Sequence, residues 1–169
     1  YFEDLDALPR VWESIMTAGE NVGIVPVGLG ARDSLRLEVA YNLYGNDIWE
    51  ETNPLEARMG WTVKLEAGDF IGRDALLAVR EAGLPRRLVG LRLEGRVFPR
   101  QGYPILHGDD EVGVVTSGTV SPTLGLPIAL GYVSTELAKA GTALAVDCRG
   151  RPAAAEIITL PFYAEGSRK

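Results

Sequence analysis

Residues 86 to 95 read RRLVGLRLEG. Val89, Leu91 and Leu93 alternate with Gly90, Arg92 and Glu94, the period-two pattern of a strand with one buried face. The texture continues toward the C-terminus. Residues 104 to 107 and 112 to 115 flank Gly108-Asp109-Asp110-Glu111, a hairpin signal. Residues 128 to 133 and 144 to 149 read as further strands, Arg149-Gly150-Arg151-Pro152 as a turn, and 155 to 160 as the strand that returns from it. Short strands between Gly, Pro and Asp turns at fairly regular spacing predict a closed antiparallel barrel or a sandwich.

Upstream the pattern is mixed. Residues 6 to 18 read as a helix, with Asp6 as N-cap, Pro9 in the first turn and Gly19 at C′. Its apolar residues Leu8, Val11, Trp12, Ile15 and Met16 recur at helical spacing, which predicts that Trp12 and Met16 pack in the core. Residues 22 to 27, broken by Pro26, suit an edge strand or a connector. Asn53-Pro54-Leu55-Glu56 reads as a short helix start and 61 to 65 as a strand. Residues 73 to 82 form a third helix that Gly83 and Pro85 stop. The boundary between mixed and all-β texture falls near 83 to 87.

Bulk composition narrows the function. A hydrophobic fraction of 46% is that of a core-forming chain of 169 residues, and the net charge of −6 disfavours nucleic acid. No apolar run is long enough for a membrane helix, and no secretory signal is present. The single cysteine, Cys148, excludes an internal disulfide and fits a reducing, cytoplasmic compartment. A chain that opens on Tyr1-Phe2 without a Met predicts a piece of a longer protein, and residues 165 to 169 read as a loose polar tail.

Most chemistry-bearing residues read as structural. The lone His107 sits at a hairpin shoulder and Cys148 on a predicted strand, so His and Cys supply no metal site. Gly28-x-Gly30 resembles a dinucleotide loop only superficially, because Asp33 occupies the third glycine position; an acid there would repel a pyrophosphate and instead suits a helix N-terminus. The run 116 to 123, TSGTVSPT, is dense in hydroxyls that can grip a polar ligand edge or make turns and bulges, with no base nearby for a nucleophilic serine. Glu50-Glu51 and Asp109-Asp110 read as solvated.

Glu38 stands apart. In GLGARDSLRLEVAYNLYGNDI, residues 28 to 48, it ends a short helix after Leu35 and Leu37 and precedes the turn Leu43-Tyr44-Gly45-Asn46-Asp47. Such a carboxylate is partly buried and needs donors. Backbone N–H groups or Arg32 or Arg36 would supply them in a structural role; a ligand with two parallel N–H groups would in a binding role. The residues alone favour the structural role.

The strings GLGARDSLRLE (28 to 38), LYGNDI (43 to 48), NPLEARMGWTVKL (53 to 65), DFIGRDAL (69 to 76), RRLVGLRLEG (86 to 95), VTSGTVSPTLGLPIALGYV (115 to 133) and LPFY (160 to 163) together resemble the aminomethyltransferase family, the T-protein of the glycine cleavage system. The resemblance implies an α+β fold: residues 1 to 84 close a folate-binding region, and 85 to 165 form an antiparallel, Greek-key-like β-barrel. It implies a transferase that takes an aminomethyl group from the lipoyl arm of the H-protein and passes the one-carbon unit to tetrahydrofolate, releasing ammonia. Glu38 matches the family's pterin contact, where a paired donor edge suits a carboxylate. That turns the preference toward binding. Tyr44 falls in its surroundings, and Lys64 or Arg73 matches the basic folate contact. The family's catalytic aspartate matches no residue here and is expected upstream of Tyr1. Folate-dependent demethylases, the folate domain of dimethylglycine or sarcosine dehydrogenases, and a folate-binding tRNA-modification protein share such motifs. A non-catalytic binding module, with Glu38 structural, is the alternative of a different class.

Overall fold

The computed structural model describes residues 4 to 166. The leading Tyr1-Phe2 pair and the last three tail residues, read above from sequence, lie outside the described residues. The chain divides after Arg32 into two compact units.

In the first unit, α1 (Leu8–Gly19) follows a 3-10 turn at Leu5–Ala7. Pro9 falls in the first turn as predicted, but Asp6 is not the cap: Asp4 accepts the Asp6 N–H, and α1 itself has no side-chain cap. Gly19 is not a left-handed C′ residue either. The chain continues through a 3-10 turn at Glu20–Val22, and Gly23 takes the left-handed conformation. Gly19 is small because Ile24 lies against it; an added Cβ would stand 2.5 Å from the Ile24 Cγ2. Core packing of Trp12 is also corrected. Trp12 is 54% exposed and no residue of α1 is buried. The periodicity gives an amphipathic helix, but no described residue covers its apolar face enough to bury it.

The second unit is built on a barrel. Its strands are β1 (Arg86–Leu93), β2 (Pro104–His107), β3 (Asp110–Val120), β4 (Pro127–Ser134), β5 (Ala143–Asp147) and β6 (Pro152–Ile158). They pair antiparallel in the closed order β1-β4-β3-β2-β5-β6, with β6 returning to β1 through Leu91↔Ile157. Placing β1 beside β4 after the β2–β3–β4 meander makes the Greek key. Closure leaves no unpaired edge, so the barrel and not the sandwich is realised. β3 runs well past the predicted 112 to 115, because the hydroxyl run 116 to 120 continues the ladder through a bulge between Val115 and Ser117.

Two apolar clusters hold this unit. Val89, Leu91, Leu93, Ile105, Val115, Val146 and Ile157 fill the barrel. Leu88, Ile128, Leu130 and Tyr132 face outward from β1 and β4 and pack with Leu37 near the end of α2 (Leu29–Glu38). β4 is thereby buried on both faces, which explains its nearly unbroken apolar run IALGYV. Where β3 crosses β4 the backbones are so close that a Cβ on Gly113 would stand 2.0 Å from the Tyr132 carbonyl oxygen.

α3 (Arg73–Ala82) matches its predicted bounds, ended by Gly83 at φ 80. The predicted strand at 61 to 65 is absent; a 3-10 turn covers Gly60–Thr62. The cap at Asn53 forms as read, since Asn53 Oδ1 accepts the Leu55 and Glu56 N–H groups and Glu56 Oε1 accepts the Asn53 N–H. No helix follows it, because Arg58 turns left-handed at φ 60 within one turn.

Candidate functional site

α2 brings two charged groups against the barrel, Glu38 on the loop between β3 and β4 and Arg36 on Asp47 and Ser117. Its last residue, Glu38, is 2% exposed. Ala40, left-handed at φ 57, ends the helix, and the Ala40 N–H bonds to the Leu37 carbonyl at 2.9 Å. The Glu38 carboxylate meets the loop between β3 and β4. Oε1 accepts the Ser121 hydroxyl and the Thr123 N–H (2.9 Å), and Oε2 accepts the Thr123 hydroxyl (2.8 Å). The Glu38 carbonyl accepts the Tyr163 N–H at 2.8 Å, which brings in the segment after β6.

Of the structural donors expected, a backbone N–H is present, that of Thr123, while Arg32 and Arg36 are not among the donors. Ser121 and Thr123 come from the hydroxyl run that the sequence offered as a ligand grip or as turn material, not as donors to Glu38. The turn is real too: Ser121 Oγ accepts the Leu124 N–H at 2.9 Å. A carboxylate offers about four lone-pair positions. Three are used, Oε1 is filled, and the open one lies on Oε2.

Burial pushes the Glu38 carboxyl upward, but the hydrogen bonds from Ser121 and Thr123 outweigh it and hold the group below its ordinary 4.5. A carboxylate depressed on folding stabilises the chain above its unfolded value, and that contribution disappears as pH falls through the folded one. Ser121→Ala removes one of the depressing donors. The acid limb of a stability–pH profile, read as the urea midpoint between about pH 7 and pH 3, is therefore expected to move to higher pH in that variant. An unmoved limb would show that Ser121 does not hold the charge.

Arg36 is committed elsewhere. Its Nη1 donates to Asp47 Oδ2 at 2.6 Å, its Nη2 to Asp33 Oδ1 (2.6 Å) and Ser117 Oγ (2.9 Å), and its Nε to Asp33 Oδ1 (2.8 Å). Asp33, expected at a helix N-terminus, serves as this ion-pair partner. Asp47 is fully buried; it also accepts the Leu43 N–H (2.9 Å) and the Thr116 hydroxyl, while its carbonyl accepts the Tyr132 hydroxyl (2.9 Å). A third buried acid, Glu56, accepts Arg86 Nε at 2.9 Å. The Arg86 guanidinium lies 4.6 Å over the Tyr132 ring and 5.6 Å over that of Trp49. Burial first, and then Glu56, push the Tyr132 phenol up to about 12.

Directly after Glu38, the chain lines a hollow of about 460 Å³ whose walls include Ala40, Tyr41, Arg58, Met59, Trp61 and Leu160. Trp61 is 77% exposed on it. Burial, and then the charge of Arg87, lower the Arg58 guanidinium, which makes no ion pair among the described residues.

The four residues singled out from sequence do not share this hollow. Glu38 is not among its lining residues, although the next residue, Val39, is. Tyr44 is 67% exposed in its turn, where it bridges to Ile48. Lys64 lines a second hollow with Leu55, Val63, Leu65 and Arg80. Arg73 Nε donates to the Leu65 carbonyl at 2.7 Å. Sequence reasoning missed Asp47, Glu56, Thr116, Ser117 and Ser121 as buried polar groups. The asparagine cap was the only local signal for any of them. His107 is exposed, Cys148 is half-buried, and among the described residues no three His, Cys, Asp or Glu side chains stand together as metal ligands. No described helix is long and apolar enough to cross a membrane.

Known proteins resemble the chain over most of its length. Residues 86–164 match the family model described as the glycine cleavage T-protein C-terminal barrel domain, and residues 3–67 match the GCVT N-terminal domain. The aminomethyltransferase of Halothermothrix orenii is 52% identical over 157 residues, 93% of this chain and 44% of that protein. The aminomethyltransferase of a Synechococcus species (strain CC9902) is 56% identical over 142 residues, 83% of this chain and 39% of its own. The crystal structure of the glycine cleavage system aminomethyltransferase T from Bartonella henselae superposes with a TM-score of 0.77 at 38% identity, covering 81% of this chain and 39% of that one. The chain spans about two fifths of the length of these relatives.

Proposed function

The chain belongs to the glycine cleavage T-protein family of aminomethyltransferases, and we propose that it is the folate-facing and barrel portion of a cytoplasmic enzyme. The whole protein, in this reading, moves a one-carbon unit from the aminomethyl-lipoyl arm of the H-protein to tetrahydrofolate and releases ammonia. One observation carries the assignment of the binding wall. The Ser121 and Thr123 donors favour the charged form of Glu38 and leave one of its acceptor positions, on Oε2, without a hydrogen bond.

In this reading each of the residues has a chemistry suited to one part of a folate-type ligand, although they line no common hollow. Tetrahydrofolate, when bound, supplies the nitrogen that accepts the one-carbon unit. Glu38 would hold its pterin edge, since an ionised carboxylate prefers N–H donors. Tyr44 offers an exposed ring and Lys64 an exposed cation for the glutamate end. Arg73 is engaged at the Leu65 carbonyl, so its part is to shape the segment that carries Lys64. The division of the chain into residues 1 to 84 and 85 to 165 belongs to the same proposal.

The test uses the full-length parent. With aminomethyl-loaded H-protein it is expected to release ammonia only when tetrahydrofolate is present. Methyl transfer from a different donor, with no reaction on H-protein, would replace this reading by a demethylase.

A further inference from the structure

Four of the chain's 17 lysines and arginines surround one hollow at an end of the barrel: Arg96, Arg100, Arg149 and Arg151. The hollow measures about 360 Å³ and takes its remaining walls from Val97, Phe98, Tyr103 and Cys148. No carboxylate lines it, although the chain carries 23 acids. None of the four arginines enters an ion pair among the described residues, whereas Arg36, Arg73, Arg80, Arg86 and Arg92 all do.

The cluster is also built rather than scattered. Arg149 is left-handed at φ 62, and its Nε donates to the Tyr103 hydroxyl at 2.9 Å. The β5–β6 turn that carries Arg149 and Arg151 is closed by the Cys148 N–H on the Arg151 carbonyl (3.0 Å). Asp147, the nearest acid in that turn, spends Oδ1 on the Gly150 N–H. Phe98, 61% exposed, presents an apolar wall to the same space. Like charges gathered on one rim repel one another, and the arrangement is relieved when an anion lies between them. Guanidinium forks match carboxylate and phosphate oxygens in pairs.

We propose that this arginine-lined hollow is a binding site for a ligand bearing two or more carboxylate or phosphate groups. Four guanidinium groups exceed what a single monovalent anion can engage, and Phe98 accommodates a carbon skeleton between the charges. The site is separate from Glu38, and the inference does not rest on the folate reading.

Isothermal titration of the 169-residue chain with citrate, inorganic phosphate and acetate at matched ionic strength tests it. Saturable binding of citrate or phosphate, with none of acetate, is expected. Citrate alone points to a polycarboxylate source and phosphate alone to a phosphorylated one. The double variant R96Q/R151Q should weaken binding about tenfold or more, since each lost charge-assisted hydrogen bond is worth roughly that factor. R10Q/R80Q, the same change in net charge elsewhere, should leave binding intact. If R96Q/R151Q lacks the thermal transition of the parent chain, Arg100→Gln alone takes its place. Binding of acetate equal to citrate, equal losses in both double variants, or no binding of any probe would overturn the proposal.

Discussion

Asp47→Ala is expected to cost the chain about 3–5 kcal/mol of stability, the range for removing one partner of a buried ion pair. The magnitude follows from what the carboxylate holds. Arg36 Nη1, the Leu43 N–H and the Thr116 hydroxyl all donate to it, and of the three only Arg36 Nη1 has a second acceptor, the Tyr41 carbonyl at 3.2 Å. Arg36 retains Asp33 and Ser117, which tempers the loss on its side. Leu43 and Thr116 retain nothing of the kind. The damage is also collective, because this one group joins α2, the Leu43–Ile48 turn and β3. Urea unfolding followed by tryptophan fluorescence measures the loss, with Trp49 close to the site through its edge-on contact with Tyr132 at 5.9 Å. Asp47→Asn should fare little better, since its amide turns donors toward donors. A change below about 1 kcal/mol in Asp47→Ala would mean that the network is a surface ion pair in its energetics, whatever its burial.

The contrast between Asp47 and α3 shows what was legible in the sequence. Everything that fixes α3 is local: apolar spacing, Gly83 and Pro85. Its bounds were therefore readable to the residue. The barrel was legible for a related reason, since alternation and Gly/Asp turns are short-range signals, although the β1–β4 pairing that makes it a Greek key is not. Asp47 looked like any acid in an Asn-Asp turn. Its burial depends on Thr116, 69 residues away, and on Arg36 across the helix. Glu38 was half legible. Leu35 and Leu37 announced burial of the carboxylate between them and Val39, but its donors lie 83 and 85 residues downstream. Trp12 failed in the opposite direction. Its periodicity correctly gave an amphipathic helix, yet periodicity says which face is apolar, not what covers it.

Glu38→Ala in the full-length parent is expected to weaken tetrahydrofolate binding by about 2–5 kcal/mol, roughly 30- to 5000-fold, the cost of truncating one side of a buried charge-assisted pair. The geometry of the site makes this expectation sharper than the motif alone. With Oε1 filled and one position open on Oε2, a ligand presenting a single donor can be met as the side chain stands. One presenting two parallel donors requires the Ser121 or Thr123 hydroxyl to turn away. Ser121→Ala would then free an acceptor on Oε1 and should preserve or tighten folate binding while it destabilises the fold. The two variants separate the roles of the carboxylate. If it only ties α2 to the β3–β4 loop, both lose stability and neither changes affinity in the folded protein, as calorimetry below the unfolding transition would reveal. If it holds the pterin, Glu38→Ala loses affinity and Ser121→Ala does not. Equal affinities in the parent and in Glu38→Ala would sink the assignment and leave Glu38 as the clasp between helix and barrel.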